Sequence, residues 1–280
     1  MRFIDAHVHV WTADTAHYPL AAGYKRANMV PRSFTPEELF KHTRANGVSR
    51  VNLIQISFYG FDNRYMLDMM DLHKDVFVGT AVIDPLQKEP ERQMTDLAKR
   101  RVRAFRIHPR LSQLPAARWL EPAGYARMFA AGAKHNQAMS CLIDPDCLPE
   151  LDRMCRKYPD TPVIIDHLCR IGAGGTIADK DVQALCAMAA HKRVLVKVGA
   201  FYALGAKKPP YQDLARMIER VVKAFGPRRC MWESDCPYQL ADGHSYRDSI
   251  DLVRTGLKFL SNDDRDWLLR RSAEAFFFNW

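Results

Sequence analysis

Short apolar runs alternate with amphipathic stretches from one end of the chain to the other. Eight of these runs have the length and the β-branched and aromatic content of buried strands. We predict strands at 3–9, 51–57, 76–83, 104–108, 138–143, 163–167, 194–198 and 230–235. Repeated strand and helix units of this kind are typical of a parallel sheet covered by helices. The pattern therefore predicts an α/β protein.

Helix boundaries are also marked in the sequence. Thr35 and Glu38 can form a capping box around Pro36, and Gly47 can end that helix in a left-handed conformation. A later helix is predicted between Pro-Pro at 209–210 and Gly-Pro at 226–227. Further helices are predicted near 62–74, 88–100, 122–136, 146–158, 178–191 and 245–260, and at about 263–277.

Eight strands are enough to close a (β/α)8 TIM barrel, although an open doubly wound sheet shows the same alternation. No glycine-rich dinucleotide fingerprint follows the first strand, which weakens the open-sheet alternative. No linker or repeat divides the chain, and barrels of about 250 residues form one domain. We therefore predict a single barrel domain over residues 1–280. The long segment 11–34 is expected to cover the face that carries the chemistry.

The formal net charge of +9 raises the question of a nucleic-acid partner. The basic residues are dispersed, and their densest run, 99–103, falls at the end of a predicted helix, where cations are favourable. No zinc-finger spacing or recognition-helix motif accompanies them. We therefore predict a small, anionic substrate and no nucleic acid. The sequence leaves the oligomeric state open, a homo-oligomer included.

Cysteine usage and hydropathy indicate the compartment. No apolar stretch reaches the ~18 residues of a membrane span, so we predict no membrane partner. The seven cysteines form no C-x-x-C pair and are scattered through apolar or helical segments. Reduced thiols of this kind are typical of the cytoplasm, where we expect the protein to be.

The first strand carries polar residues at every second position. Two sets alternate, one polar and one apolar: Asp5, His7 and His9 against Ile4, Ala6, Val8 and Val10. We predict that the apolar set faces the helices and the polar set the barrel interior. Imidazoles two residues apart can reach one metal ion with bonds of ~2.1 Å, and hydrogen-bonded core histidines are the alternative. Asp5 is predicted to orient His7 or to bond the strand backbone.

The last strand ends in a second polar pair. Glu233 and Asp235 share one face of the predicted strand, and Pro237 ends the run. The carboxyl ends of barrel strands are where barrel enzymes place their chemistry. A carboxylate at Asp235 can bind a metal ion or accept a proton from water, and capping of the following loop is the alternative.

Three segments in order resemble the motifs of the amidohydrolase superfamily. They are the H-x-H motif in Ile4–Trp11, the D-H-x motif in Ile165–Leu168 and the S-D-x-P motif in Trp232–Tyr238. The closing segment Ser272–Phe277 is similar to the family's terminal helix. The resemblance spans the chain and is closest to the branch of dicarboxylate and sugar-acid lactonases, with related decarboxylases as neighbours.

The resemblance implies a set of site residues. The implied metal ligands, or their equivalents, are His7, His9, His167 and Asp235. Asp235 and His167 are also the implied catalytic residues, with Asp235 accepting a proton from the attacking water and His167 holding the substrate or the metal.

The chain departs from the family pattern at three places. Strand 4 does not end in a lysine that could be carbamylated, so a binuclear metal site is not expected. Strand 5 lacks the histidine of many metal-dependent members, and Glu233 stands where the family often has a small residue. We therefore expect at most one divalent metal ion, zinc or manganese, and metal-independent catalysis is the alternative.

Basic and aromatic residues near other strand ends are candidates for substrate binding. Arg106 and His108 share a face of strand 4, and Arg110 follows them. A guanidinium can bind a carboxylate through two charged hydrogen bonds, with a surface salt bridge as the alternative for Arg110. Lys197 in strand 7 and Tyr202 beyond it are further candidates, and packing is the alternative for Tyr202.

Together these residues predict a hydrolase that opens a small cyclic ester, a lactone, which bears carboxylates. Water would attack at a His and Asp site with or without one divalent ion. A metal-dependent, non-oxidative decarboxylase of a small aromatic or muconate-like acid is the first alternative. A barrel that binds a ligand without catalysis is the second.

Overall fold

The computed structural model describes residues 2–279. Eight parallel strands form one sheet in which each strand pairs with the next along the chain. They are β1 (Phe3–Val8), β2 (Val48–Ile54), β3 (Phe77–Ala81), β4 (Val102–Ile107), β5 (Ala138–Cys141), β6 (Val163–Ile165), β7 (Val194–Gly199) and β8 (Cys230–Glu233).

The first and last strands close the sheet into a barrel. The N–H of His9 donates to the carbonyl of Cys236 at 2.8 Å, and the N–H of Asp235 donates to the carbonyl of His7 at 3.0 Å. Val8 and Cys236 also form a parallel bridge. Since helices connect the successive strands, the predicted (β/α)8 barrel is confirmed.

The helices follow the sequence signals where their caps are marked. They are α1 (Pro36–Ala45), α2 (Arg64–Leu72), α3 (Pro90–Ala98), α4 (Pro109–Ser112), α5 (Ala123–His135), α6 (Leu148–Lys157), α7 (Asp179–Ala187), α8 (Ala215–Phe225), α9 (Tyr246–Asp251) and α10 (Asn262–Asp266). The predicted capping box forms before α1, where Glu38 accepts the N–H of Thr35 at 2.7 Å. α8 ends directly before Gly226, as predicted.

The two predicted C-terminal helices are wrong as continuous α-helices. The segment 245–260 is α9 followed by a π-helical turn at Leu252–Gly256. The segment 263–277 is α10 followed by π-helical turns at Trp267–Arg271 and Glu274–Phe278. The apolar periodicity that predicts a helix does not distinguish these wider turns from an α-helix.

Two of the three motif strands, β6 and β8, end two residues earlier than predicted. β6 ends at Ile165 and β8 ends at Glu233, so that His167 and Asp235 lie in the loops that follow. β2 begins at Val48 and ends at Ile54, earlier than predicted at both ends. Apolar runs mark a strand's buried part, whereas the pairing with its neighbours decides where it ends.

An apolar cluster, here called the floor layer, fills the lower interior of the barrel. Its strand residues come from seven of the eight strands: Ile4, Ala6, Val78, Ala104, Ala138, Ile164, Leu195 and Met231. Phe276 and Phe277 of the C-terminal segment pack against these residues and close the barrel from below. Burial of this apolar surface stabilises the fold, and it leaves the upper end of the interior to polar groups.

Between Asp5 and Val8, β1 carries one extra residue relative to β2, and an opposite shift between Phe3 and Ile4 places one extra residue on β2. The pairing moves from Asp5 to Val8 on β1 while it moves only from Val51 to Leu53 on β2. An extra residue of this kind is a β-bulge, which bends a strand and changes the direction of its side chains. Bulges are frequent next to active sites, and this one lies between Asp5 and the end of β1.

Because of the bulge, inward and outward side chains do not alternate along β1 as we predicted. Ile4 and Ala6 face the interior in the floor layer, whereas Val8 and Val10 pack in the outer core between sheet and helices. The prediction that all four face the helices is therefore wrong. Because the bulge changes the phase, His7 follows Ala6 into the interior.

Asp5 consequently lies outside the polar interior. Its Oδ2 accepts the hydroxyl of Tyr246 at 2.7 Å, and its Oδ1 accepts the backbone N–H groups of His7 at 3.2 Å and Ser234 at 2.9 Å. Burial raises the pKa of Asp5 to about 6. We predicted that Asp5 either orients the His7 side chain or bonds the strand backbone. Its contacts show the second role, because it links the backbone of β1 to that of Ser234, directly after β8.

Cysteines and hydropathy give two further findings. The seven cysteines are all free, as predicted for reduced thiols. Within residues 2–279, no helix has the length and the apolar content needed to cross a membrane.

Candidate active site

A polar cluster, here called the site layer, lies directly above the floor layer inside the barrel. Its members are His7, Arg106, Ser140, Asp166, Lys197 and Glu233, all of them buried. Most stand two residues after an apolar residue of the floor layer on the same strand. His9, His167 and Asp235 lie at the carboxyl ends of β1, β6 and β8, next to this layer. The structure therefore brings the predicted catalytic and metal-binding residues together.

Three of these side chains direct donor atoms toward one another. His7 Nε2 lies 3.2 Å from His9 Nε2, and Asp235 Oδ1 lies 3.5 Å and 3.4 Å from these two nitrogens. His9 Nδ1 is 2.9 Å from the carbonyl of Ile54, so this nitrogen carries the proton. Because burial lowers the pKa of His9 and favours the neutral ring, its Nε2 presents a lone pair. Asp235 Oδ1 is buried and accepts no hydrogen bond from residues 2–279.

This donor set fits one divalent metal ion. The three ligand atoms of His7, His9 and Asp235 all lie within 4.8 Å of one another. Two imidazoles and one carboxylate are ligands that suit zinc and other first-row divalent metals. An unpartnered buried carboxylate oxygen is costly without a cation or a donor, which is the observation that favours a ligand at this point.

Asp235 is held in its ionised form. It has a left-handed backbone with φ of 62°, and its Oδ2 accepts the hydroxyl of Tyr202 at 2.7 Å. Burial opposes ionisation, but His167, His9 and Tyr202 outweigh it and lower the pKa of Asp235 to about 2. One oxygen is thus fixed by Tyr202 while the other faces the site. Tyr202, a sequence-predicted candidate for substrate binding, contacts the carboxylate of Asp235.

His167 stands on an unusual turn. His167, Leu168, Cys169 and Arg170 have φ values of 55°, 51°, 56° and 54°. A left-handed residue other than glycine costs roughly 1–2 kcal/mol, so four in succession need strong support from their surroundings. Sequence reasoning missed this turn, because no glycine marks it.

Glu233 provides part of that support. Its Oε1 accepts the backbone N–H of His167 at 3.1 Å and the Nδ1–H of the same residue at 2.6 Å. Burial disfavours the imidazolium, but Glu233 and Asp235 hold the pKa of His167 above its ordinary value. His167 Nε2 is left to face Arg106, whose Nη2 is 3.4 Å away.

Lys197 and Asp166 form a buried ion pair beneath His7. Their charged atoms are 2.9 Å apart, and Ser140 donates to Asp166 at 2.9 Å. Lys197 Nζ also lies 3.2 Å from His7 Nδ1. Since Lys197 has no exposed surface, its position favours support of the site over contact with a substrate. Its role as a substrate ligand stays an untested prediction.

The three basic candidates at and after the end of β4 differ in position. Arg106 lies within the site, with its Nη1 at 3.5 Å from His9 Nε2. His108 is half-buried and its Nδ1 has no partner in residues 2–279; burial, then Arg106 and Arg110, lower its pKa to about 4. Arg110, on α4, is exposed. Of the three, Arg106 has the position best suited to an anionic group.

A family model decides the relationship of this chain. The model of the amidohydrolase family matches residues 4–278. The chain belongs to the amidohydrolase family. The resemblance inferred from the three motifs is thereby confirmed, and the motif residues of this amidohydrolase are those that converge at the barrel mouth.

Curated relatives of this amidohydrolase are lactone hydrolases by name. It is similar to an L-fucono-1,5-lactonase of Burkholderia ambifaria, with 27% identity over 86% of this chain and 82% of the relative. It is also similar to a 4-sulfomuconolactone hydrolase of Rhizobium radiobacter, with 24% identity over 91% of this chain and 82% of the relative.

A solved structure supports the fold. An amidohydrolase from Burkholderia multivorans, crystallised with bound zinc, superimposes with a TM-score of 0.83. The superposition covers 99% of both chains at 21% sequence identity. At this identity, the agreement concerns the barrel.

Proposed function

We propose that this amidohydrolase hydrolyses a small, carboxylate-bearing lactone. The observation that carries the proposal is Asp235: a buried, ionised carboxylate with one oxygen free, opposite the Nε2 atoms of His7 and His9. The names of the curated relatives, a sugar-acid lactonase and a sulfomuconolactone hydrolase, support a cyclic ester as the substrate. The guanidinium of Arg106, which is buried in the site next to His9 and His167, supports an anionic one.

The reaction consumes one water. Asp235 Oδ1 accepts a proton as the water oxygen forms a bond to the lactone carbonyl carbon, and the carbonyl electrons move onto its oxygen. When the carbonyl reforms, the ring C–O ester bond breaks. Asp235 then returns the proton to the departing ring oxygen, and the product is an open-chain hydroxy acid.

Positive charge is needed alongside Asp235. A carboxylate with a pKa of about 2 is ionised at neutral pH but is a weak base, so it cannot activate water efficiently alone. Arg106 and His167, 3.4 Å apart and both buried, are placed to stabilise negative charge that develops on the carbonyl oxygen or to bind a substrate carboxylate.

A divalent metal ion would be held by His7, His9 and Asp235. When bound, such an ion polarises the carbonyl and lowers the pKa of water, which is the assistance that a weakly basic Asp235 requires. We propose zinc or manganese as its identity. We propose one ion per chain, because the second possible ligand group, His7, His167 and Glu233, shares His7 with the first and its His167 Nδ1 already bonds Glu233.

The test is a lactone panel followed by base consumption. Sugar-acid 1,5-lactones and carboxylated or sulfonated muconolactones are supplied to metal-free protein and to protein reloaded with zinc or manganese. We expect ring opening of at least one anionic lactone. Asp235→Asn should lower kcat by about 10²–10⁴ without unfolding the protein, because the proton acceptor is lost. Asp242→Asn, an exposed change in the same loop, is the matched control.

Three results would contradict the proposal. Near-normal turnover by Asp235→Asn would remove the assigned base. Release of carbon dioxide without ester cleavage would make the protein a decarboxylase. Calorimetric binding of lactones with no ring opening in any metal form would indicate a non-catalytic barrel.

A further inference from the structure

Glu233 is a completely buried member of the site layer and lies next to two histidines, His7 and His167. Its Oε1 accepts both N–H groups of His167, the backbone one at 3.1 Å and the Nδ1 one at 2.6 Å. Its Oε2 lies 3.0 Å from His7 Nδ1 and has no hydrogen bond of good geometry in residues 2–279. One carboxylate thus lies between β1, β6 and β8 at the base of the site.

His167 depends on this carboxylate more than an ordinary residue would. It begins the left-handed turn of His167–Arg170, in which four successive residues have positive φ without glycine. Such backbone persists only where surrounding contacts hold it. The neighbouring carboxylate, Asp166, is already bonded to Ser140 and paired with Lys197. Glu233 is therefore the acceptor that fixes both the backbone and the ring of His167.

The bond to the ring also determines which nitrogen faces the substrate. Because His167 Nδ1 donates to Glu233, Nε2 is the atom directed toward Arg106. Without the carboxylate, the ring could rotate or exchange its tautomer. Two buried N–H groups would also lose their acceptor, which destabilises this arrangement of His167.

Gly199 on β7 makes the space that Glu233 occupies. The two residues are register partners. A Cβ at position 199 would lie 2.1 Å from the carbonyl oxygen of Glu233 and 2.2 Å from its Cγ. Contacts this short are not tolerated, so any larger residue at 199 must displace the side chain or the strand. The absence of a side chain at Gly199 thus leaves room for both the backbone carbonyl and the side chain of Glu233.

We propose that Glu233 is a positioning residue, which holds the left-handed turn and the ring of His167 in the geometry that the reaction needs, and that Gly199 is required to admit it. The inference rests on the proposed function for its kinetic consequence, and on hydrogen bonds alone for its structural one. Glu233 itself does not touch the substrate.

The structural consequence is tested without turnover. With ring-labelled [15N]histidine, the short Nδ1–H···O bond should give a far-downfield proton, assigned by its loss in His167→Asn. We expect the signal to persist in Glu233→Gln, which keeps an acceptor oxygen, and to vanish in Glu233→Ala and Gly199→Ala. Glu150→Ala removes a buried carboxylate that pairs with Arg153 on α6, and it should leave the signal unchanged.

The kinetic consequence is tested on the lactone identified in the panel. Glu233→Ala and Gly199→Ala should lower kcat by about 100-fold, as expected for a group misplaced by about an ångström, and change KM by less than about threefold. Glu233→Gln should recover most of kcat. Circular dichroism and thermal melting identify any variant that fails to fold, and the Gln and Gly199 variants then decide.

The outcomes separate this inference from the proposed function. A downfield signal that survives in folded Glu233→Ala or Gly199→Ala overturns the inference whatever the enzyme does. A Glu233→Gln variant as impaired as Glu233→Ala overturns positioning in favour of charge. If no lactone is opened but the signal behaves as expected, the proposed function fails while the assigned support of His167 stands.

Discussion

The floor layer and the site layer occupy the same barrel interior on the same strands, yet their chemistry is opposite. Two residues further on, Ala104 of β4 is followed by Arg106, and Ile164 of β6 is followed by Asp166, directly after the end of that strand. The same step replaces an apolar residue by Ser140, Lys197 and Glu233 on β5, β7 and β8. Side chains that alternate inward stack as layers in a barrel, so one step of two residues separates packing from chemistry.

The two layers differ in the interactions that stabilise them. The floor layer is stabilised by non-directional burial, which tolerates any apolar shape that fills the space. The site layer is stabilised by directional bonds, such as the pair of Lys197 and Asp166 and the bonds of Glu233 to His167. Mutations should therefore separate stability from activity.

The largest expected effect is on the floor layer. Phe277→Ala should destabilise the fold by about 3–5 kcal/mol, because a fully buried ring is replaced by a cavity. Chemical denaturation measures this loss, and kcat at low temperature should be unchanged. Leu72→Ala, at a 66% exposed position, is the control. A large loss of kcat in folded Phe277→Ala would show that floor and site are coupled.

The second prediction is that the site layer also contributes to the free energy of unfolding. Lys197→Met should cost about 3 kcal/mol in the free energy of unfolding, because Asp166 loses the nearer of its two buried cations and keeps only Arg106 at 3.9 Å. Adding Asp166→Asn to this variant should restore part of the loss, which a double-mutant cycle measures. Lys223→Met on α8, at an exposed side chain, serves as the control. A double variant no more stable than the single one would argue against a specific pair.

The third effect sharpens the assignment of Arg106. Arg106→Leu should lower kcat/KM for a carboxylated lactone about 10–100-fold, since charged hydrogen bonds contribute roughly 1.5–3 kcal/mol. A neutral sugar lactone should lose less, so the ratio of the two substrates is the measurement. Arg92→Leu, at an exposed arginine, is the control. Equal losses for both lactones would indicate that Arg106 acts on the carbonyl oxygen instead.

The smallest effect concerns pH and His108. Its pKa is about 4 in the folded protein, below the ordinary value of 6.5, so the unfolded chain binds the extra proton between these values. The fold should therefore lose stability as pH falls from 6.5 to 4, by on the order of 1–2 kcal/mol from this group after allowance for its partial exposure.

His108→Gln should make that loss shallower. Denaturation midpoints at pH 7.5 and pH 5 measure it in both proteins, with His17→Gln as an exposed control. An identical loss in His108→Gln would assign the acid sensitivity to other groups, such as those of the site layer.

Sequence reasoning reached the barrel and most of the site. Alternating apolar runs predicted eight parallel strands, and the H-x-H, D-H-x and S-D-x-P motifs predicted which strand ends converge. It failed at the bulge of β1, since a register shift is decided by pairing with β2 and leaves the apolar pattern of the strand unchanged. It also assigned no role to Glu233, whose partners are remote in the chain.

The amino-acid pattern by itself determined the strands, the helices and the residue types at each strand end, because these depend on local periodicity and capping. Only the tertiary structure decided that Ile4 and Ala6 turn inward while Asp5 does not, that His167 stands on a left-handed turn, and that Glu233 bonds it. Each of these depends on contacts between strands far apart in the sequence. Such contacts acquire direction and distance only when the barrel closes.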